Sequence, residues 1–157
     1  ATKPSPPLAP PPPTFEQKMA AILYLEDRRT LTDATLAPPA VGDLGELLVD
    51  REGRVRRRAA LAIGRSGLAG GIGPLSTALA GETEPEVRAM AAFALGLIGD
   101  VAAAPALLPA LGDPDPRVQG RAAEALGLLG HTPAAGAIAG MAAEIAADFQ
   151  AFADRML

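Results

Sequence analysis

Few residues of this chain have the type and spacing to do chemistry. His131 is the single histidine and there is no cysteine, so a His-rich metal centre, a zinc motif and a thiolate nucleophile are all excluded. His131 follows Gly130 and precedes Pro133, the setting of a turn, and reads as a surface or capping residue. Ser66 and Ser76 have no G-x-S-x-G context and no base nearby in sequence. The run Gly67-Leu-Ala-Gly-Gly-Ile-Gly73 invites comparison with a phosphate-binding loop. No Lys-Ser/Thr follows it and no strand pattern precedes it, so it reads as a connection between helices. The acids lie at turns, where helix capping accounts for them without general-acid work. These residues predict a chain with no catalytic site, no cofactor and no metal, and therefore not an enzyme.

One cluster of charge stands out. The chain carries a net −4, yet Asp50 to Arg65 holds six arginines against two acids, about +4, leaving about −8 elsewhere. Arg54, Arg58 and Arg65 fall with Leu61 on one helical stripe beside the apolar face. Two readings stay open for that stripe: a solvated helix flank, with Arg56 used in a turn, or a contact for an anion or an acidic protein. Nucleic acid is a poor third, because Glu86, Met90, Phe93 and Leu97 of the next helix do not continue the charge and there is no Trp.

The elements that position these residues are legible as a repeat. Val55-Arg-Arg-Arg-Ala-Ala-Leu-Ala-Ile-Gly64, Val87-Arg-Ala-Met-Ala-Ala-Phe-Ala-Leu-Gly96 and Val118-Gln-Gly-Arg-Ala-Ala-Glu-Ala-Leu-Gly127 superimpose at spacings of 32 and 31 residues. A period of this length belongs to stacked helical hairpins. In each unit the Val, two Ala and the Ile or Leu fall at i, i+4, i+7 and i+8, one face of a helix. An acidic turn precedes each: Asp50-Arg-Glu-Gly53, Glu82-Thr-Glu-Pro85 and Asp113-Pro-Asp-Pro116. Pro85 and Pro116 suit a first helical position. Second helices are predicted over Ile72 to Ala80, Val101 to Leu111 (shortened or kinked by Pro109) and from Pro133 onward. The composition agrees: 49% hydrophobic but only 3% aromatic, which favours helices packed through small side chains over sheets.

The ends differ from the middle. Residues 1–14 hold seven of the sixteen prolines and read as an extended tether unable to join a core. An imperfect first unit follows over 15–49, with a helix from Phe15 to Arg29, a Pro-containing loop, and a partner helix from Val41 to Val49. At the other end, Ile138, Met141, Ile145, Phe149, Phe152 and Met156 form one stripe on a possible 25-residue helix, and two of the chain's four Phe lie on it. Either the stripe folds back as a cap on the stack, or Phe149, Phe152 and Met156 are exposed for a missing domain, a partner or a second copy. No apolar run is long enough to span a bilayer.

The pattern D/E-x-x-V-R-x-x-A-A-x-A-L/I-G, a Gly-rich turn and a P-A-L second helix, as in Gly99-Asp100 with Ala104-Pro-Ala-Leu107, resembles HEAT repeats. It is most similar to the short bacterial subclass related to phycobilisome-lyase HEAT-like repeats, over roughly Asp50 to Met141. The resemblance implies an all-α, right-handed α-solenoid of about four hairpins with a long C-terminal helix, its repeats at about 50–81, 82–112 and 113–141. It also implies that the Arg at Arg56 and Arg88 pairs with an acid in the turn between repeats, a ladder that weakens where Gln119 stands. Gln17 to Arg29 looks like the start of exported bacterial proteins in which a HEAT region precedes a cyclophilin-type prolyl isomerase, which favours an extracytoplasmic setting. The function implied is a non-catalytic protein-interaction scaffold that is monomeric or weakly self-associating through its last helix, with Arg54, Arg58, Arg65, Phe149, Phe152 and Met156 as candidate protein-binding residues. The alternatives are an accessory domain of an enzyme, in the manner of the isomerase or bilin-lyase relatives, and, less favoured, a nucleic-acid-binding HEAT protein.

Overall fold

A computed structural model describes residues 11–35 and 42–156. Most of the proline-rich stretch and part of the loop before Leu44 lie outside the described residues. Those described form eight α-helices and no strand: α1 (Phe15–Asp27), α2 (Leu44–Leu47), α3 (Gly53–Ser66), α4 (Ile72–Gly81), α5 (Pro85–Ile98), α6 (Ala104–Ala110), α7 (Pro116–Leu128) and α8 (Ala135–Met156). Helices α1, α3, α5 and α7 stack side by side in one row. Helices α2, α4 and α6 form the second row, each packed on the first-row helix that follows it. This is the all-helical hairpin stack that the 31–32-residue period predicts.

The repeat residues build the core. Val55, Ala59, Ala62 and Ile63, with their counterparts in α5 and α7, are all at most 1% exposed. Small side chains set how closely the rows approach. A Cβ on Gly64 would come within 2.7 Å of Ala94 Cα, and one on Gly96 within 2.9 Å of Ala125 Cβ. Those two glycines are contact points and not helix ends. The turns are made a few residues later by Gly67, Gly99 and Gly130, at φ 70°, 75° and 63°, the left-handed region where glycine costs least. Each turn leads into a short 3-10 turn and then the second helix.

Helix starts follow local chemistry. Thr14 and Gln17 form a reciprocal capping box on α1. Asp115 accepts from Arg117 N and places Pro116 at the first position of α7. Glu84 makes no side-chain cap on α5, because it is drawn to Arg56. Pro109 sits in the last turn of α6, which ends at Ala110 after seven residues, against ten in α4.

One expectation is corrected here, and one open alternative is decided. The partner helix over Val41–Val49 is a single turn, Leu44–Leu47; Val41 lies outside the described residues, and Val49 is 81% exposed. Gly42 and Gly45 weaken helix there, while Asp50 is held outside the helix by its turn bonds. The terminal helix runs 22 residues, and none of its residues is buried. It meets the stack at its root, where Ala134 is buried just before it and Ile138 packs against the core.

Candidate interaction surfaces

The arginine flank reaches across to α1, with the Arg54 and Arg65 side chains still more than half exposed. Arg54 lies over the Phe15 ring of α1, 3.6 Å from its centroid, and pairs with Glu52 at 2.9 Å. Arg58 and Arg65 both reach Glu26 of α1, Arg65 at 3.0 Å. Burial acts to raise the Glu26 carboxyl, but the bonds from Arg58 and Arg65 outweigh it and hold it below the ordinary carboxylate range. The three candidate arginines therefore tie α3 to the first unit. Arg121 over Phe93 of α5, at 4.8 Å, and Arg117 to Glu86, at 2.8 Å, repeat the gesture from α7.

A second set of charges forms a ladder through the turns. Arg56 binds Glu82 at 2.5 and 3.0 Å and the Asp50 carbonyl at 2.8 Å. Arg88 binds Asp113 at 2.8 and 2.9 Å and the Glu82 carbonyl at 3.0 Å. Each rung acid also accepts the N–H two residues on, from Glu52, Glu84 and Asp115. Gln119 keeps the inward half, donating to the Asp113 carbonyl at 2.7 Å, but the next turn, His131-Thr-Pro-Ala134, carries no acid. Lys18, which sequence reasoning passed over, opens the ladder: it is 6% exposed and pairs with Asp50 at 2.7 Å and Glu52 at 3.5 Å. The long loop of the first unit hid it by breaking the 31–32-residue spacing.

An open groove of about 680 Å³ lies between α2 and α4 over this ladder, lined by Leu48, Val49, Pro74, Thr77 and Ala78 with Asp50, Arg56 and Glu82. The remaining surface is α8. Ile145 is 55%, Phe149 73%, Phe152 53% and Met156 72% exposed, so the stripe from Ile145 onward stands clear of the stack instead of capping it. His131 packs at the turn before α8, its backbone N–H bonded to Leu126 O at 3.1 Å. Among the described residues no group of three or more His, Asp or Glu is placed to hold a metal ion, and no helix is long and apolar enough to cross a membrane.

A family model described as HEAT repeats matches residues 72–149. The match is to HEAT repeats in general and does not reach the phycobilisome-lyase-like subclass. No curated protein matches the sequence. Among solved structures the chain is similar to human deoxyhypusine hydroxylase in complex with glycerol, at 25% identity and a TM-score of 0.54, over 80% of this chain and 50% of that one. The chain thus spans half the length of that protein. This likeness corrects the expectation that the chain is not an enzyme, because a stack of the same architecture is a hydroxylase. Serine, cysteine and histidine motifs cover only familiar constellations, whereas a repeat stack is a support on which function varies independently of fold.

Proposed function

Because residues 72–149 match a family model of HEAT repeats, we propose that this chain is a protein-interaction scaffold whose docking surface is the α8 stripe, with Phe149, Phe152 and Met156 as anchors. The observation that carries this reading is their exposure, 53–73% for three large apolar side chains in line. Water-facing apolar area of this kind is costly to leave uncovered, and a helix presenting it at i, i+3 and i+7 suits a partner helix or groove. Arg54, Arg58 and Arg65 serve the same reading by stiffening the first unit. In finer form, 1–14 is a tether, 15–49 a degenerate first unit and 50–141 the repeats of a recognition region in a larger exported bacterial protein. The partner is a protein and not nucleic acid, since the stripe is apolar and flanked by one charge of each sign, Asp148 and Arg155.

A photo-crosslinking residue at position 149, compared with one at Gln150 on the opposite face, tests it in the source cell. A discrete crosslinked species from 149 and none from 150 is expected; equal or absent crosslinking overturns the reading. A second reading, favoured by the likeness to deoxyhypusine hydroxylase, is that the chain is the HEAT region of an enzyme. Gain of one oxygen atom by a deoxyhypusine-bearing peptide, followed by mass spectrometry, is its test.

A further inference from the structure

The spacing along α8 is tighter than an ordinary amphipathic stripe. Ile138, Ala142, Ile145, Phe149, Phe152 and Met156 recur at alternating steps of four and three, the 3.5-residue period of a coiled-coil seam. Ile138 spends the start of the seam on the chain's own stack, while from Ala142 onward it is exposed. One side of the free seam is flanked by Ala146 and Ala153, the other by Asp148 and Arg155. The remaining polar groups, Glu144, Gln150 and Asp154, fall on the outer face, where Gln150 donates to Asp154 at 2.8 Å.

We propose that the occupant of this seam is α8 of a second copy of the chain, lying antiparallel. The proposal rests on the reading of α8 as the docking surface and names its partner. A two-fold contact must be self-complementary: if one position meets another, the reverse contact follows. An antiparallel pair centred between Gln150 and Ala151 meets that condition at every level. Ile145 faces Met156, Phe149 faces Phe152, Ala146 faces Ala153, and Asp148 faces Arg155, each twice. The alanines let the axes approach closely on one side. On the other, opposite charges close both ends of a contact about 18 Å long. A parallel pair instead sets Asp148 against Ala153 and leaves that carboxylate without a cation, so charge favours the antiparallel arrangement.

Sedimentation of the full chain across a broad dilution series tests this. The mass is expected to rise from one chain to two with concentration, and Phe149→Glu to weaken association by roughly a hundredfold or more. Asp148→Arg alone and Arg155→Asp alone each set like charges together twice and are expected to weaken it about tenfold. The double variant D148R/R155D is expected to recover wild-type association. Circular dichroism on each variant checks that the stack is intact, which the exposure of all these positions favours. A single-chain mass at every concentration, or single charge variants that associate like wild type, overturns the proposal. A single-chain mass with crosslinking from position 149 to a different protein sinks the second copy alone and leaves the docking surface standing.

Discussion

Glu82, Asp113 and Asp50 each do two jobs, closing a turn and receiving a cation from the preceding first-row helix, so the ladder is where single substitutions bite. Arg88 and Asp113 are 13% and 10% exposed. Arg88→Ala leaves a nearly buried carboxylate without its cation and the Glu82 and Thr83 carbonyls without their donor, and is expected to cost about 2–3 kcal/mol in urea unfolding. Gln119→Arg, at the end of the ladder with no acid ahead of it, is expected to change stability by less than about 0.5 kcal/mol. Glycines divide the same way. Gly96→Ala forces a Cβ to within 2.9 Å of Ala125 and is expected to destabilise by about 1–3 kcal/mol. Gly127→Ala meets nothing within 4 Å and is expected to stabilise α7 by up to about 0.5–1 kcal/mol. The Val-Ala-Ala-Leu core of three helices was legible from spacing alone, because burial on one helix face imposes a period. The role of Gly64 and Gly96 was only half legible: their positions suit either a turn or a close approach, and the separation of two helices decides which.

At the scale of elements, the units most regular in sequence are the ones whose boundaries the period places well, and the ends are where it fails. Helix α2 shrinks to one turn because Asp50 is worth more to Lys18 and the turn than to another helical residue. That exchange links residues 18 and 50 across a loop that no repeat pattern describes. The fate of α8 was equally balanced in the sequence, since a seam at 3.5-residue spacing suits a cap and a free surface alike. The structure separates them through what α7 lacks. Gly127, the counterpart of the contact glycines Gly64 and Gly96, faces open space, and the turn before α8 has no acid for Gln119 to hold. At a dilution where the chain is single, removing residues 142–157 is therefore expected to leave the urea midpoint of the stack unchanged while lowering helical circular dichroism. A lower midpoint would mean that α8 supports the fold.

For the whole molecule, the ladder couples stability to pH. Hydrogen bonds from Arg88 outweigh burial at Asp113 and hold its carboxyl below the usual range. Burial acts to raise Asp50 and Glu82, but the bonds from Lys18 and Arg56 and from the turn N–H groups win, and both end lowered. Asp115, bound by Arg117, falls to about 2. Carboxyls lowered by folding stabilise fully above their unfolded values and lose that contribution as pH falls through the folded ones. The urea midpoint is expected to be flat from neutrality to about pH 5 and to fall steeply below about pH 4; a midpoint that rises on acidification would contradict the ladder. The stack is a rigid body that holds an apolar helix clear of itself. Amide hydrogen exchange resolved by segment, at the lowest workable concentration, reads that separation. Helix α5 is expected to exchange slowly and residues 142–156 orders of magnitude faster; equal protection of the two segments at that dilution would place the stripe against the stack and contradict a free α8.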